Sequence, residues 1–304
     1  MDDATVELAA LVALLRRADG GWAEVALDVQ EEGSAARVLA RQAGHTDTLF
    51  PDEAAQAALI ESGAEAVASW RASGIDVHAF FDPSYPAQLR TIREMPPVLF
   101  TRGRREPDTH AVAVVGSRSA TDEGLRITRA IATSLADRAV TVVSGLAKGI
   151  DTAAHEATLD AGGRTVAVIG TGILRHYPAA NRRLQEHIAE AGLVISQFWP
   201  ESGPAKHHFP MRNAVMSGYA AATVVVEAGQ TSGARIQARL ALQHGRPVLL
   251  TGQVMQHEWA REFARRPGVQ VVRGTADLLA AVDDILGRLP TETSLEDFPD
   301  LAPR

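Results

Sequence analysis

Two short stretches end apolar runs with small residues and a cation: Val115-Gly116-Ser117-Arg118, and Ser144-Gly145-Leu146-Ala147-Lys148-Gly149. Such residue types suit anion binding. Amides freed at a helix N-terminus, with the positive end of its dipole, favour a negative group beside them. Gly116 and Gly145 would let backbone come close to it, and Arg118 and Lys148 would add charge. Turn chemistry alone is the plainer explanation of either loop. Two of them on successive strands, each with a cation, point to a phosphate-bearing ligand.

A third cluster lies in residues 203–213, read as one long loop, where Lys206, His207, His208, Phe209, Arg212 and Asn213 fall close together. Cations interleaved with an aromatic suit a single-stranded nucleic acid, the charge serving the backbone and the ring a base. The alternative is a lid over a small-nucleotide pocket. Adjacent histidines seldom converge on one ion and no third ligand is spaced to help, so no metal site is expected. Glu227 closes another apolar run, just ahead of Thr231-Ser232-Gly233. It is a candidate nucleotide contact, as general base or ribose ligand, with Ser232 and Gly233 opening a helix that would hold phosphate. Asp151 and His155, four apart, would share a helical face as base and orienter, unless Asp151 is an N-cap. There is no Ser-His-Asp order, nucleophile elbow or Walker loop. An enzymatic reading would therefore rest on Glu227 alone, and the protein is expected to be no enzyme.

The elements that must position these residues alternate. Apolar runs at 111–115, 140–143, 165–169, 193–195, 223–226, 247–250 and 269–272 predict strands, and 122–137, 152–161, 181–191, 232–244 and 275–287 predict helices. Such alternation means a parallel sheet covered on both faces, with the loops above sharing the edge at the strands' carboxyl ends. Upstream, residues 1–75 read as a small helical domain, interrupted at Asp19-Gly20-Gly21. Residues 76–110 read as a connector with extended segments around Pro86, Pro96 and Pro97. Within it Arg102-Gly103-Arg104-Arg105 is either a solvated linker or a phosphate contact. The core domain spans 111–288, and the acidic, proline-bearing tail 289–304 is expected to be disordered.

Composition narrows the function. The chain has no cysteine, which excludes disulfides, thiolate nucleophiles and zinc–cysteine sites. It shows no membrane-length apolar run or leader, so a cytoplasmic protein with no membrane partner is expected. A net charge of −7 argues against bulk nucleic-acid binding but permits a local basic groove. Lys148 and Lys206, the only lysines, both fall in the loops singled out above.

At these residues the chain resembles the DprA/Smf family of DNA-processing proteins. The resemblance is carried by Val115-Gly116-Ser117-Arg118, by Ser144-Gly145-Leu146-Ala147-Lys148-Gly149-Ile150-Asp151 with Ala154-His155, by Gly172 and Tyr177-Pro178, by Phe209-Pro210-Met211-Arg212-Asn213, and by Val226-Glu227-Ala228 with Ser232-Gly233. It runs from about Gly74 to Leu250. It implies an α/β fold with an extended Rossmann-like domain and a mostly parallel sheet, preceded by a small helical domain resembling a sterile-alpha-motif (SAM-like) unit. It also implies a homodimer that binds single-stranded DNA without sequence preference and passes it to the RecA recombinase in natural transformation. Carried over, the DNA-facing residues are Gly116, Ser117, Arg118, Ser144, Gly145, Lys148, Gly149, Arg212 and Asn213. The resemblance implies no cofactor. Ala214 stands where the family usually has a second arginine, Gln197 where it has glutamate, Gln237-Ala238 where it has Thr-Ala and Thr251-Gly252 where it has Pro-Gly. Gln256-His257-Glu258-Trp259 replaces a glycine-and-asparagine motif, and no C-terminal winged helix is expected. These departures keep two other readings open: a DprA-like antitoxin that holds a cognate toxin in a defence pair, and a nucleotide sensor or nucleoside-monophosphate hydrolase.

Overall fold

The apolar spacing near the start of the chain resolves into separate helices. The computed structural model describes residues 1–18, 21–43 and 53–289. The first unit takes in Met1–Tyr85 and Met95–Phe100, and the second takes in Pro86–Glu94 and the described chain from Thr101 onward. In the first, α1 (Asp3–Arg17), α2 (Trp22–Glu32), α3 (Ala35–Ala43) and α4 (Glu53–Ala72) precede β1 (Asp76–Ala79). Asp2 caps α1 by accepting from the Thr5 amide at 2.9 Å. Glu7, on α1, takes up the first amide of α3, from Ala35 at 2.6 Å. Residues Leu8 to Leu15 are buried without a break, because α3 and α4 both lie against α1. At Gly63 a Cβ would overlap the Ala9 carbonyl, so glycine lets these two helices come close. The segment 76–110, read as a connector, is shared: β1 and the start of β2 (Val98–Gly103) belong to the first unit, residues 86–94 and 101–110 to the second.

The second unit holds β3 (Ala111–Gly116), β4 (Thr141–Ser144), β5 (Thr165–Val168), β6 (Leu193–Ser196), β7 (Ala222–Glu227), β8 (Val248–Thr251) and β9 (Val269–Val272). These seven run parallel in the order β6-β5-β4-β3-β7-β8-β9. The order reverses direction between β3 and β7, which opens a crevice at their carboxyl ends. Pairing there is shifted: Val115 sits opposite Val225 but Gly116 opposite Glu227, which leaves Val226 as an extra residue on β7. The helices are α5 (Asp122–Ala136), α6 (Ile150–Asp160), α7 (Arg182–Ala191), α8 (His208–Tyr219), α9 (Gly233–Gln243), α10 (Glu258–Phe263) and α11 (Thr275–Leu286). Val112, Val114, Val142, Val224 and Val226 pack with residues of α5, α6 and α11 on one face. Ala113, Val115 and Val225 are buried too, and α8 and α9 lie against β3 and β7. A sheet buried on both faces accounts for strands that read as unbroken apolar runs.

Within 203–213 the expected loop is shorter than read. From His208 onward the chain is α8, so Phe209, Arg212 and Asn213 are helical. Pro210 lies in the first turn, where a missing N–H costs nothing and the fixed φ suits a helix. Every residue from Arg212 to Tyr219 is buried. A helix apolar or buried all round gives no amphipathic signature. The acidic tail expected from residue 289 falls, from 290 onward, outside the described residues, as do Asp19 and Gly20. Among the described residues no helix is long and apolar enough to cross a membrane.

Candidate functional site

The crevice at the switch point is a cleft of about 400 Å³. Of the residues singled out in the sequence, Gly116, Ser117, Arg118, Asp151, Phe209, Arg212, Asn213, Thr231, Ser232 and Gly233 line it. They come from the turns after β3 and β7 and from the first turns of α6, α8 and α9. Ser144, Gly145, Lys148, Gly149, Lys206 and Glu227 do not.

Arg212 is the buried cation of the lining. Its side chain is buried, its Nη1 donates to the Val168 carbonyl at 3.0 Å, and its Nε has no partner. Desolvation, reinforced by Arg118, lowers its pKa against the attraction of Asp151. A buried guanidinium with an unsatisfied N–H is costly, and a negative group in the cleft beside it would offset the charge. Gly145 belongs to this arrangement in a way the loop pattern did not disclose: a Cβ there would overlap the Arg212 guanidinium. Its glycine is needed to admit an arginine, and not to bring backbone to a ligand.

The other glycines are constrained by loop against loop. At Gly116 a Cβ would meet Ile150 and the Glu227 carbonyl, the latter at 2.9 Å. At Gly149, the N-cap of α6, φ is +78° and a Cβ would overlap the Ser117 carbonyl, while Ile150 N donates to that carbonyl at 3.2 Å. The two cation-bearing turns thus pack on one another. The second is tied to the start of α7: Leu146 takes a left-handed φ of 56° and its carbonyl accepts from Asn181 Nδ2 at 2.9 Å. Ser144 is fully buried and donates to the Val114 carbonyl at 2.7 Å, so its hydroxyl joins strands and does not face the cleft. Lys148 and Lys206 are exposed outside it.

At the mouth, Arg118 lies over the Phe209 ring, 5.2 Å from its centroid, and Tyr177 packs on the same ring at 5.7 Å. Tyr177 is 44% exposed. In the sequence Tyr177 is only a mark of resemblance, yet in the fold it extends an aromatic surface beside an exposed guanidinium. His208 stacks on Phe198 at 3.9 Å and meets His207 edge-on, so the two imidazoles do not converge. No cluster of metal-ligating side chains occurs among the described residues.

Two catalytic suggestions change on this geometry, and a third grouping that no spacing marked comes to light. Glu227 accepts from Thr121 N at 3.0 Å and from Thr121 Oγ1 at 2.6 Å, over the first turn of α5. The protein's own carboxylate occupies the anion position at that helix start, which removes it as a free base. Asp151 and His155 do not pair. Asp151 Oδ2 accepts from the Ala147 amide at 3.2 Å, while His155 Nδ1 lies 2.7 Å from Thr165 Oγ1. Burial raises the Asp151 pKa, partly offset by Arg212, and lowers that of His155 to about 3. Finally, Ser217 Oγ lies 2.9 Å from His244 Nδ1, and His244 Nε2 2.9 Å from Glu94 Oε2. Ser217 is fully buried within α8 and shares its hydroxyl with the Ala214 carbonyl at 3.1 Å, so this trio ties elements together and presents no nucleophile.

A doubly wound parallel sheet, with a small basic cleft where its strand order reverses, places the chain in the Rossmann-like class of α/β proteins. Residues 76–290 match the family described as DNA recombination-mediator protein A, and the chain belongs to this DprA/Smf family of DNA-processing proteins. It is 39% identical over 210 residues to DNA processing protein DprA of Streptococcus pneumoniae, a match covering 66% of this chain and 72% of that one. The crystal structure of that protein superposes with a TM-score of 0.71 at 31% identity, over 92% of this chain and 98% of the other. Protein Smf of Synechocystis is 44% identical over 172 residues, covering 55% of this chain and 43% of its own length. DNA processing protein A of Helicobacter pylori, solved for its single-stranded DNA binding mode, shares the fold at a TM-score of 0.62 and 23% identity, over 69% of this chain and 96% of that one.

Proposed function

We propose that this protein binds single-stranded DNA through the cleft between β3 and β7, without sequence preference and without catalysing a reaction on it. The observation that carries this reading is Arg212, a buried guanidinium with an unpartnered Nε in a cleft that Arg118 also lines. A phosphate in the cleft would balance the charge of this guanidinium. Tyr177, exposed and backed by Phe209, offers a ring face to any base, which suits binding that ignores sequence. A duplex keeps its bases stacked inside and cannot use that face. The single-stranded DNA binding mode of the H. pylori relative supports the same choice of ligand. Ser232 and Gly233, at the start of α9, would receive a neighbouring phosphate. Lys148 and Lys206 would act outside the cleft, as charges that steer the strand toward it.

The recombination-mediator description of the family supports a further role: a cytoplasmic homodimer that hands the bound strand to a RecA-type recombinase. The test is binding of a labelled oligothymidylate by Arg212→Ala and Lys148→Ala across a salt series. Arg212→Ala loses a phosphate contact, so affinity falls and the salt slope becomes shallower by about 0.7 for a single strand; Lys148→Ala loses a steering charge, so affinity falls as well, most at low salt. Unchanged affinity and slope in both variants would refute the reading.

A further inference from the structure

Phe209, in the first turn of α8, meets side chains from two other turns and a backbone from a third. Arg118, after β3, and Tyr177, after β5, both pack on its ring. The third neighbour is Gly170, buried just past the end of β5. A Cβ at that position would come within 2.9 Å of Phe209 Cδ1 and 3.1 Å of Cε1, closer than carbon atoms pack. All three atoms nearest to such a Cβ belong to the Phe209 ring. Gly170 lies outside the left-handed region, so its backbone would accept alanine. What calls for glycine here is the ring.

The ring in turn bears on where Tyr177 stands. The backbone leading to the tyrosine is tied to the turn after β6: Ser196 Oγ donates to the Thr171 carbonyl at 2.7 Å, Gly172 N to that of Ser202 at 2.8 Å and Leu174 N to that of Pro200 at 2.9 Å. Its aromatic side chain then rests on Phe209, tilted by 44°. Tyr177 is the exposed member of this pair and Phe209 the half-buried one. A base stacked on Tyr177 therefore lies on a surface whose height and tilt depend on Phe209, and through it on the space that Gly170 leaves. The Arg118 guanidinium is exposed and keeps its charge wherever the ring stands. A displaced Phe209 should thus weaken the stacking of a base and leave the attraction for phosphate.

We propose that Gly170 is a positioning residue for base stacking: it leaves room for the Phe209 ring on which Tyr177 rests, and so sets the stacking face at the mouth of the cleft. The inference rests on the reading of the cleft as a single-strand site. The test compares a labelled oligothymidylate with an abasic strand of equal length, which carries the same phosphates and no bases. Anisotropy gives both affinities for the unaltered protein, for Gly170→Ala, for Phe209→Leu and for the double variant. The unaltered protein should bind the thymidylate about 5- to 150-fold tighter for each base it stacks. In Gly170→Ala that ratio should fall toward one with the salt slope unchanged, because no phosphate contact is lost. Phe209→Leu should lose the same ratio without an added Cβ, which keeps the proposal testable if Gly170→Ala does not fold. In the leucine background the alanine should cost little more, since a leucine side chain can yield. A ratio preserved in either single variant, or a ratio of one in the unaltered protein, would overturn the proposal while the cleft stands as a single-strand site. Equal losses on both strands would overturn it too, because the glycine would then serve the fold alone. If the unaltered protein binds neither strand, both readings fall.

Discussion

Replacing Gly145 by alanine adds one methyl group at a backbone position outside the left-handed region, so the backbone itself tolerates the change. The obstacle is Arg212, whose guanidinium occupies the space that the new Cβ would take. The arginine must move, losing its bond to the Val168 carbonyl and its place at the base of the cleft. A hydrogen bond to a charged group is worth roughly 1.5–3 kcal/mol. If Arg212 makes one such bond to a phosphate, affinity for a single strand should fall about 10- to 150-fold. The salt slope should become shallower by about 0.7. The assay is a double-mutant cycle with Arg212→Gln, read by anisotropy of a labelled oligothymidylate. Once the guanidinium is gone the methyl group has nothing to displace, so Gly145→Ala should cost little in that background, and the two effects should couple strongly. Full additivity, or a Gly145→Ala variant that binds normally, would refute the account of this glycine.

Three further outcomes follow from buried polar groups. Asp108 accepts from Arg164 Nε at 2.7 Å and Nη2 at 2.8 Å, from Thr141 Oγ1 at 2.8 Å and from Tyr219 Oη at 2.6 Å. Asp108→Ala strands these partners, which should cost about 3–5 kcal/mol and show as a lower urea midpoint. His155, held neutral by burial with its pKa at about 3 instead of 6.5, contributes stability that is present above pH 6.5 and is lost as pH falls toward 3. Unfolding titrations should show a loss of up to about 1.4 kcal/mol per pH unit there, absent in His155→Gln. Asp151 has its pKa raised above 3.8 by burial, so its stabilising protonated form is complete below 3.8 and is lost as pH climbs through the raised value. The ionised form also opposes phosphate in the cleft, so single-strand affinity should weaken as pH climbs through the raised value, and Asp151→Asn should remove that dependence; an unchanged pH profile in the variant would contradict this.

The parallel sheet was legible because fully buried strands are short apolar runs with turn residues at their ends, and β3, β5, β6 and β9 lie within a residue or two of where those runs fall. Helix α8 was not. The approach to it and its first turn, Lys206-His207-His208-Phe209-Pro210, read as a loop by composition, and its burial on all sides leaves no periodic signal. The cation at the floor of the cleft was visible as a residue, but its partners were not. No spacing rule connects Arg212 to Gly145 or to Val168, which approach it only through the stacking of α8 on the sheet. Glu227 illustrates the opposite error. A carboxylate at a strand end looks like a base until Thr121, more than a hundred residues earlier, is seen to consume it. The Asp151–His155 spacing failed in the same way, because Ala147 and Thr165 satisfy the two side chains separately.

The central claim is tested most directly by anisotropy of labelled single-stranded and duplex oligonucleotides of equal length, titrated with the unaltered protein across a salt series. The account predicts salt-steep binding that prefers the single strand and is indifferent to its sequence, because the cleft offers guanidinia to phosphates and a ring face to any base. Equal affinity for duplex, or no binding at low salt, would contradict it.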